Sequence, residues 1–151
     1  ACLVSAGNAS IRYMLAGGSN AWLELAWYMF AGMVMLGTSK VLRVNEHVRV
    51  DIIYGGRSSR TKAIIDLLGL IVFLMPMTLL MVYLVWPFAV DSYVSKEMSS
   101  NAGGLIRWPF KVILPIGFAL LSVQGIAEII KRIAYLRGEL QMDTHYERPV
   151  Q

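Results

Sequence analysis

KVLRVNEHVRVDIIYGGRSSRTK, residues Lys40 to Lys62, is a basic connector set between two long apolar runs. It carries Lys40, Arg43, Arg49, Arg57, Arg60 and Lys62, from a total of 14 Lys and Arg in the chain, against only Glu46 and Asp51. Short loops rich in Lys and Arg are retained on the cytoplasmic side of a membrane. The apolar runs on either side therefore direct their other ends outward.

Composition agrees with a membrane setting. Hydrophobic residues make up 56% of the 151 and charged residues 16%, with a mean hydropathy of +0.55. That leaves too little polar surface to coat a globule in water, and it predicts an all-α integral membrane protein. A transmembrane helix takes about 20 residues. The chain thus has room for a single membrane domain over residues 1–151, with short loops and no large aqueous part. The net charge of +4 sits at the ends of apolar runs, where it orients helices and meets anionic lipid rather than nucleic acid. Cys2, as the single cysteine, makes neither an intrachain disulfide nor a thiolate metal site.

Four spans are predicted, over about residues 1–16, 21–42, 62–90 and 108–136, with a cytoplasmic connector over 43–61 and an outer loop over 91–107. The first is read as the outer half of a helix whose earlier residues precede Ala1, since the apolar run before Arg12 is too short to cross. A cleaved signal peptide is the rival reading, but the stretch has neither a basic n-region nor a compact h-region. In the connector, Val44, Val48, Ile52 and Ile53 recur at helical spacing, which predicts a short amphipathic helix on the inner interface. Gly55 and Gly56 then turn the chain, and Ser58 or Ser59 can cap the next helix. Leu67 to Val90 carries no charge and is the clearest span, with Pro76 predicting a kink near its middle. Gly138 is expected to stop the last helix. Trp22, Trp27, Trp86 and Trp108 all fall at the outer end of this topology, as an aromatic belt does.

No pattern of residues points to catalysis. The chain has no cysteine cluster, no phosphate-cradling glycine loop and no nucleophile matched to a base, and His47 lacks companions for a metal site. The polar groups near or within the spans are Glu24, Asp66, Gln124 and Glu128. Glu24 reads most simply as a solvated acid at a helix start. Asp66 reads as a partner of Arg60 or Lys62. The alternatives make Glu24 or Glu128 a buried coupling carboxylate.

EHVRVDIIYG, Glu46 to Gly55, resembles the signature of the small membrane subunit of tripartite ATP-independent periplasmic (TRAP) transporters. The rest of the chain agrees in order. Trp22, Glu24, Tyr28 and Leu36-Gly37 occupy the preceding helix; IIDLLGLIVFL (Ile64 to Leu74), NAGGLIRWPFKVILPIGF (Asn101 to Phe118) and LLSVQGIAEIIKR (Leu120 to Arg132) follow. The likeness runs over about residues 20–137. Trp27 stands where such subunits often carry a basic residue, and the first helix is incomplete. The resemblance implies a four-helix subunit of the bacterial inner membrane with both termini cytoplasmic and no cofactor of its own. It would bind a larger membrane subunit that holds the substrate and sodium sites and works as an elevator, while a periplasmic binding protein delivers an organic acid anion such as a dicarboxylate or a sialic acid.

Three functions follow from this reading: an accessory transporter subunit, a small transporter that assembles with itself, or a membrane anchor for a redox enzyme. The last would ordinarily need haem-ligating histidines in the membrane. The residues expected at membrane or partner contacts are Glu24, Arg43, Glu46, Arg49, Asp51, Asp66, Trp108 and Glu128. Charge reversal at Arg43, Arg49 or Asp51 is expected to lower the yield of a complex purified through a tag on the large subunit, and an unchanged yield would refute a contact role for the connector.

Overall fold

The computed structural model describes residues 1–15, 19–44 and 58–140. Five helices lie in these segments: α1 (Cys2–Leu15), α2 (Asn20–Val44), α3 (Ser59–Gly69), α4 (Met75–Val94) and α5 (Trp108–Arg137). A π-helical turn, Leu70–Leu74, joins α3 to α4, so that Ser59–Val94 runs as one rod of 36 residues. Among the described residues the β structure is a single antiparallel bridge, Met98 to Ile106. The amphipathic helix expected in the connector lies outside the described residues.

Among the described residues three stretches are long and apolar enough to cross a membrane: Asn20–Val44, Ser59–Val94 and Trp108–Arg137. Helix α1 has 14 residues. At 1.5 Å per residue it measures about 21 Å, short of the roughly 30 Å hydrocarbon core. The described part of the expected first span therefore does not reach spanning length.

Local chemistry sets the ends. Ser58 Oγ accepts the Thr61 N–H at 3.4 Å and caps α3. Gly138 adopts φ 83°, and the Glu139 N–H reaches back to the Ala134 carbonyl at 3.0 Å, a left-handed cap that a side chain would strain. Helix α4 continues through Asp91 to Val94, residues expected in the outer loop, and Lys96 at φ 48° turns the chain away.

The packing is reversed relative to a water-soluble bundle. Phe73, Tyr83 and Trp27 are largely exposed, whereas the buried positions, Leu42 and Leu70 apart, are mostly small or polar: Ala26, Ala63, Ala89, Thr78, Ser122, Glu128 and Arg132 among them. Large apolar side chains facing lipid and small ones facing helices is the expected arrangement in hydrocarbon. Helix α5 is the centre of the bundle, packing against α2, α3, the π turn and α4, while α1 lies on α2. Helices α2 and α5 start at the same end of the bundle, because Glu24 of α2 bonds to the loop that leads into α5.

Pro76 has no N–H, and the register change occurs just before it. The Met75 N–H bonds five residues back to the Leu70 carbonyl, widening the helix by one residue. This turn meets Gly125 of α5, where a Cβ would lie 2.8 Å from Leu74 Cδ2 and 3.1 Å from Met75 Sδ. Gly117 is tighter in a different way: a Cβ there would lie 2.9 Å from Met35 Cβ and 3.0 Å from the Met35 carbonyl oxygen, so α2 and α5 are in backbone contact.

The two glycines are expected to respond differently to Ala. Each substitution gains about 1 kcal/mol of helix propensity, against about 1–3 kcal/mol of overpacking. At Gly125 the obstructing atoms are ends of flexible side chains, so Gly125→Ala should leave the melting temperature nearly unchanged. At Gly117 the obstacle is backbone, and Gly117→Ala should lower it by several degrees. Equal shifts in detergent-solubilised protein would contradict the backbone contact.

Candidate functional site

Two polar clusters fix the bundle, one at each end. At the first, the chain leaving α4 doubles back through the Met98 to Ile106 bridge. The Ser99 N–H donates to the Leu105 carbonyl at 3.0 Å and the Arg107 N–H to the Glu97 carbonyl at 2.9 Å. Gly103, at φ 70°, lies in the turn. This small hairpin is held from below by Glu24. Ser99 Oγ donates to Glu24 Oε1, Asn101 Nδ2 donates to the same oxygen at 2.7 Å, and the Leu105 N–H donates to Oε2 at 2.8 Å. Asn20 Nδ2 adds a bond to the Ala102 carbonyl at 3.2 Å.

Glu24 is therefore not the solvated helix-start acid that its position suggested. It is only 4% exposed. A buried carboxylate survives when donors surround it, and here the loop supplies them. Beside it, Glu97 accepts a hydrogen bond from Lys111 Nζ and faces Arg107 Nη1 at 3.5 Å. The Lys111 bond holds the Glu97 carboxyl below the usual carboxylate range, so it stays ionised through neutral pH. Lys111 Nζ also lies 3.8 Å from the centre of the Phe88 ring.

The second cluster ties α3 to α5. Arg132 Nη1 donates to Glu128 Oε2 at 2.7 Å, one turn back on the same helix, and Arg132 Nη2 pairs with Asp66 Oδ2 at 3.3 Å. Lys131 Nζ at 2.8 Å and Gln124 Nε2 at 3.1 Å both reach Glu128 Oε1. Asp66, expected to meet Arg60 or Lys62 on its own helix, has the Arg132 guanidinium of α5 against it. Arg60 Nη2 lies 3.4 Å from the Leu136 carbonyl, at the end of α5.

Of the remaining candidates, Arg43 is exposed in the last turn of α2. Trp108 makes an edge-on contact with Tyr93, ring centres 5.0 Å apart. Glu46, Arg49 and Asp51 lie outside the described residues. Sequence reasoning did not name Arg132, Ser99 or Asn101 as contacts. The i, i+4 spacing of Glu128 and Arg132 was a usable signal; the loop donors to Glu24 had none, since they stand more than 70 positions away. Among the described residues no group of three or more His, Cys, Asp or Glu is placed to hold a metal ion. Both clusters can hold helices together; neither presents a reacting group.

The family model described as tripartite ATP-independent periplasmic transporters, DctQ component, matches residues 1–134. The chain belongs to that family. It is a small membrane component of a TRAP transporter, and the family is not a catalytic one. No curated protein and no solved structure matches it. In this DctQ component, the two clusters are points where the described helices are fixed near their ends.

Removing Arg132 should test the second cluster. Its side chain and that of Glu128 are each 4% exposed. Breaking a buried pair by deleting one partner costs about 3–5 kcal/mol, because the other charge stays buried. Lys131 is 43% exposed, and its pair should be worth less than about 1 kcal/mol. Arg132→Met is therefore expected to lower the unfolding temperature well beyond Lys131→Met, and a reversed order would show that the cluster does not hold α3 to α5.

Proposed function

We propose that this chain is a non-transporting small subunit that braces the large, elevator-type membrane subunit of a TRAP transporter during sodium-driven uptake. A periplasmic binding protein supplies the substrate, an organic acid anion of the dicarboxylate or sialic acid class. The subunit resides in the bacterial inner membrane with both termini cytoplasmic, its first helix completes a fourth span, and sodium binds in the large partner rather than here. The family membership supports the setting. The observation that favours a brace is the state of the carboxylates: Glu24 is taken up by three loop donors and Glu128 by Arg132, Lys131 and Gln124. A coupling carboxylate has to gain and lose an ion or proton during transport. Both of these are instead committed to holding helix ends.

A brace also needs stiffness and a large apolar surface. Helix α5, with 30 residues, is about 45 Å long and is packed on several sides. The outward-facing aromatic and aliphatic side chains give lipid and partner the same kind of surface.

The decisive measurement is sodium-driven uptake into proteoliposomes that hold the large subunit and receive the binding protein, with and without this chain. Uptake is expected only when the chain is present, and none from the chain alone. Transport by the chain alone, abolished by Glu24→Gln or Glu128→Gln without loss of assembly, would replace this proposal with a self-assembling carrier.

A further inference from the structure

The hairpin between α4 and α5 has its polarity reversed. Along its two arms, Glu97 and Ser99 turn to Lys111 and Glu24, and Arg107 turns toward Glu97, the two charged side chains being half-buried. The residues between them, Met98 and Ile106, face each other across the bridge and are 63% and 47% exposed. Side chains alternate between the two faces of a strand. In a loop bathed by water the charges would take the outer face and the apolar residues the inner one. Polar inside and apolar outside is the pattern of strands whose outer face meets lipid.

The depth of the hairpin agrees. Its tip is tied at Ala102 to Asn20, the first residue of α2, while Ser99 and Leu105 bond to Glu24, one turn further into that helix. Its base is tied through Glu97 to Lys111, one turn into α5. The hairpin thus lies alongside the first turns of two spans rather than above them. Trp22, 48% exposed, and the Tyr93 and Trp108 pair occupy the same level, where aromatic side chains sit in the headgroup zone.

We infer that the Met98 and Ile106 face of this hairpin inserts into the membrane interface, anchoring the α4–α5 end of the bundle in lipid rather than forming an aqueous loop. The inference rests on the membrane-spanning reading of α2, α4 and α5. Exposed apolar side chains run from the end of α4, at Val90, Tyr93 and Val94, into Met98 and Ile106, and this continuity with the lipid-facing surface of the span favours lipid over a protein partner as the occupant.

The test places a nitroxide at single cysteines, Met98→Cys, Ile106→Cys, Ala102→Cys and Leu80→Cys, in a Cys2→Ser background. The full chain is reconstituted in phosphatidylcholine nanodiscs, and accessibility to oxygen and to a water-soluble nickel chelate is compared. Positions 98 and 106 are expected to show an oxygen-to-nickel ratio several-fold above that of 102 and below that of 80, which lies on the exposed side of α4. Nickel access at 98 and 106 equal to that at 102, with 80 still shielded, would overturn the anchor alone. Loss of that access on adding the large subunit would then assign the face to the protein partner. Nickel access at 80 would overturn the membrane reading itself.

Discussion

A leucine in hydrocarbon gains little by moving against another helix, because lipid tails are as apolar as it is. The usual force that assembles a helical bundle is therefore absent, and these helices have to be joined by close contact and by polar groups. Both devices are concentrated on α5. Gly117 lets the backbone of α2 approach, Gly125 receives the π turn, and Arg132 grips Asp66 of α3. The large apolar residues are left on the outside, where they cost nothing.

The π turn illustrates how a defect becomes a fit. Pro76 deprives the helix of one hydrogen bond, and a helix of uniform register would bend there to open a path for another partner. In this chain the extra residue is accommodated before the proline, and the widened turn fills the groove that Gly125 leaves on α5. The wide turn and the missing side chain belong to one contact. A feature that in isolation suggests a hinge is thus packed against a neighbouring helix.

Much of this was legible in the sequence, and the limits are physical. Long uncharged runs and charged ends identify spans because hydrocarbon imposes length and neutrality on each segment separately; Leu67 to Val90 needs no neighbour to be recognised. The i, i+4 pair of Glu128 and Arg132 is local in the same sense. The contacts that define the clusters are not. Asp66 and Arg132, or Glu24 and Asn101, are brought together by how helices pack, and an apolar helix offers almost no pattern from which packing faces can be read. Glu24 shows the consequence: its place near the start of α2 suggested water, but the chain returns some 75 residues later to cover it.

The two polar clusters also limit what the bundle can do. Each lies at one end, Glu24 beneath the hairpin and Arg132 near the close of α5, and each pairs its carboxylates with donors of its own. Between them α5 presents Gly117, Ser122 and Gly125 to its neighbours, and Ser122 spends its hydroxyl on the Phe118 carbonyl of its own helix at 2.9 Å. A path for an ion would need unsatisfied oxygens at mid-depth. On α5 what lies there is close-packed glycine and an internally bonded serine, while an unpartnered buried oxygen, Asn8 Oδ1, lies on α1. The same economy that joins the helices without hydrophobic force leaves glycine and an internally bonded serine in the middle of α5, where the helices meet most closely.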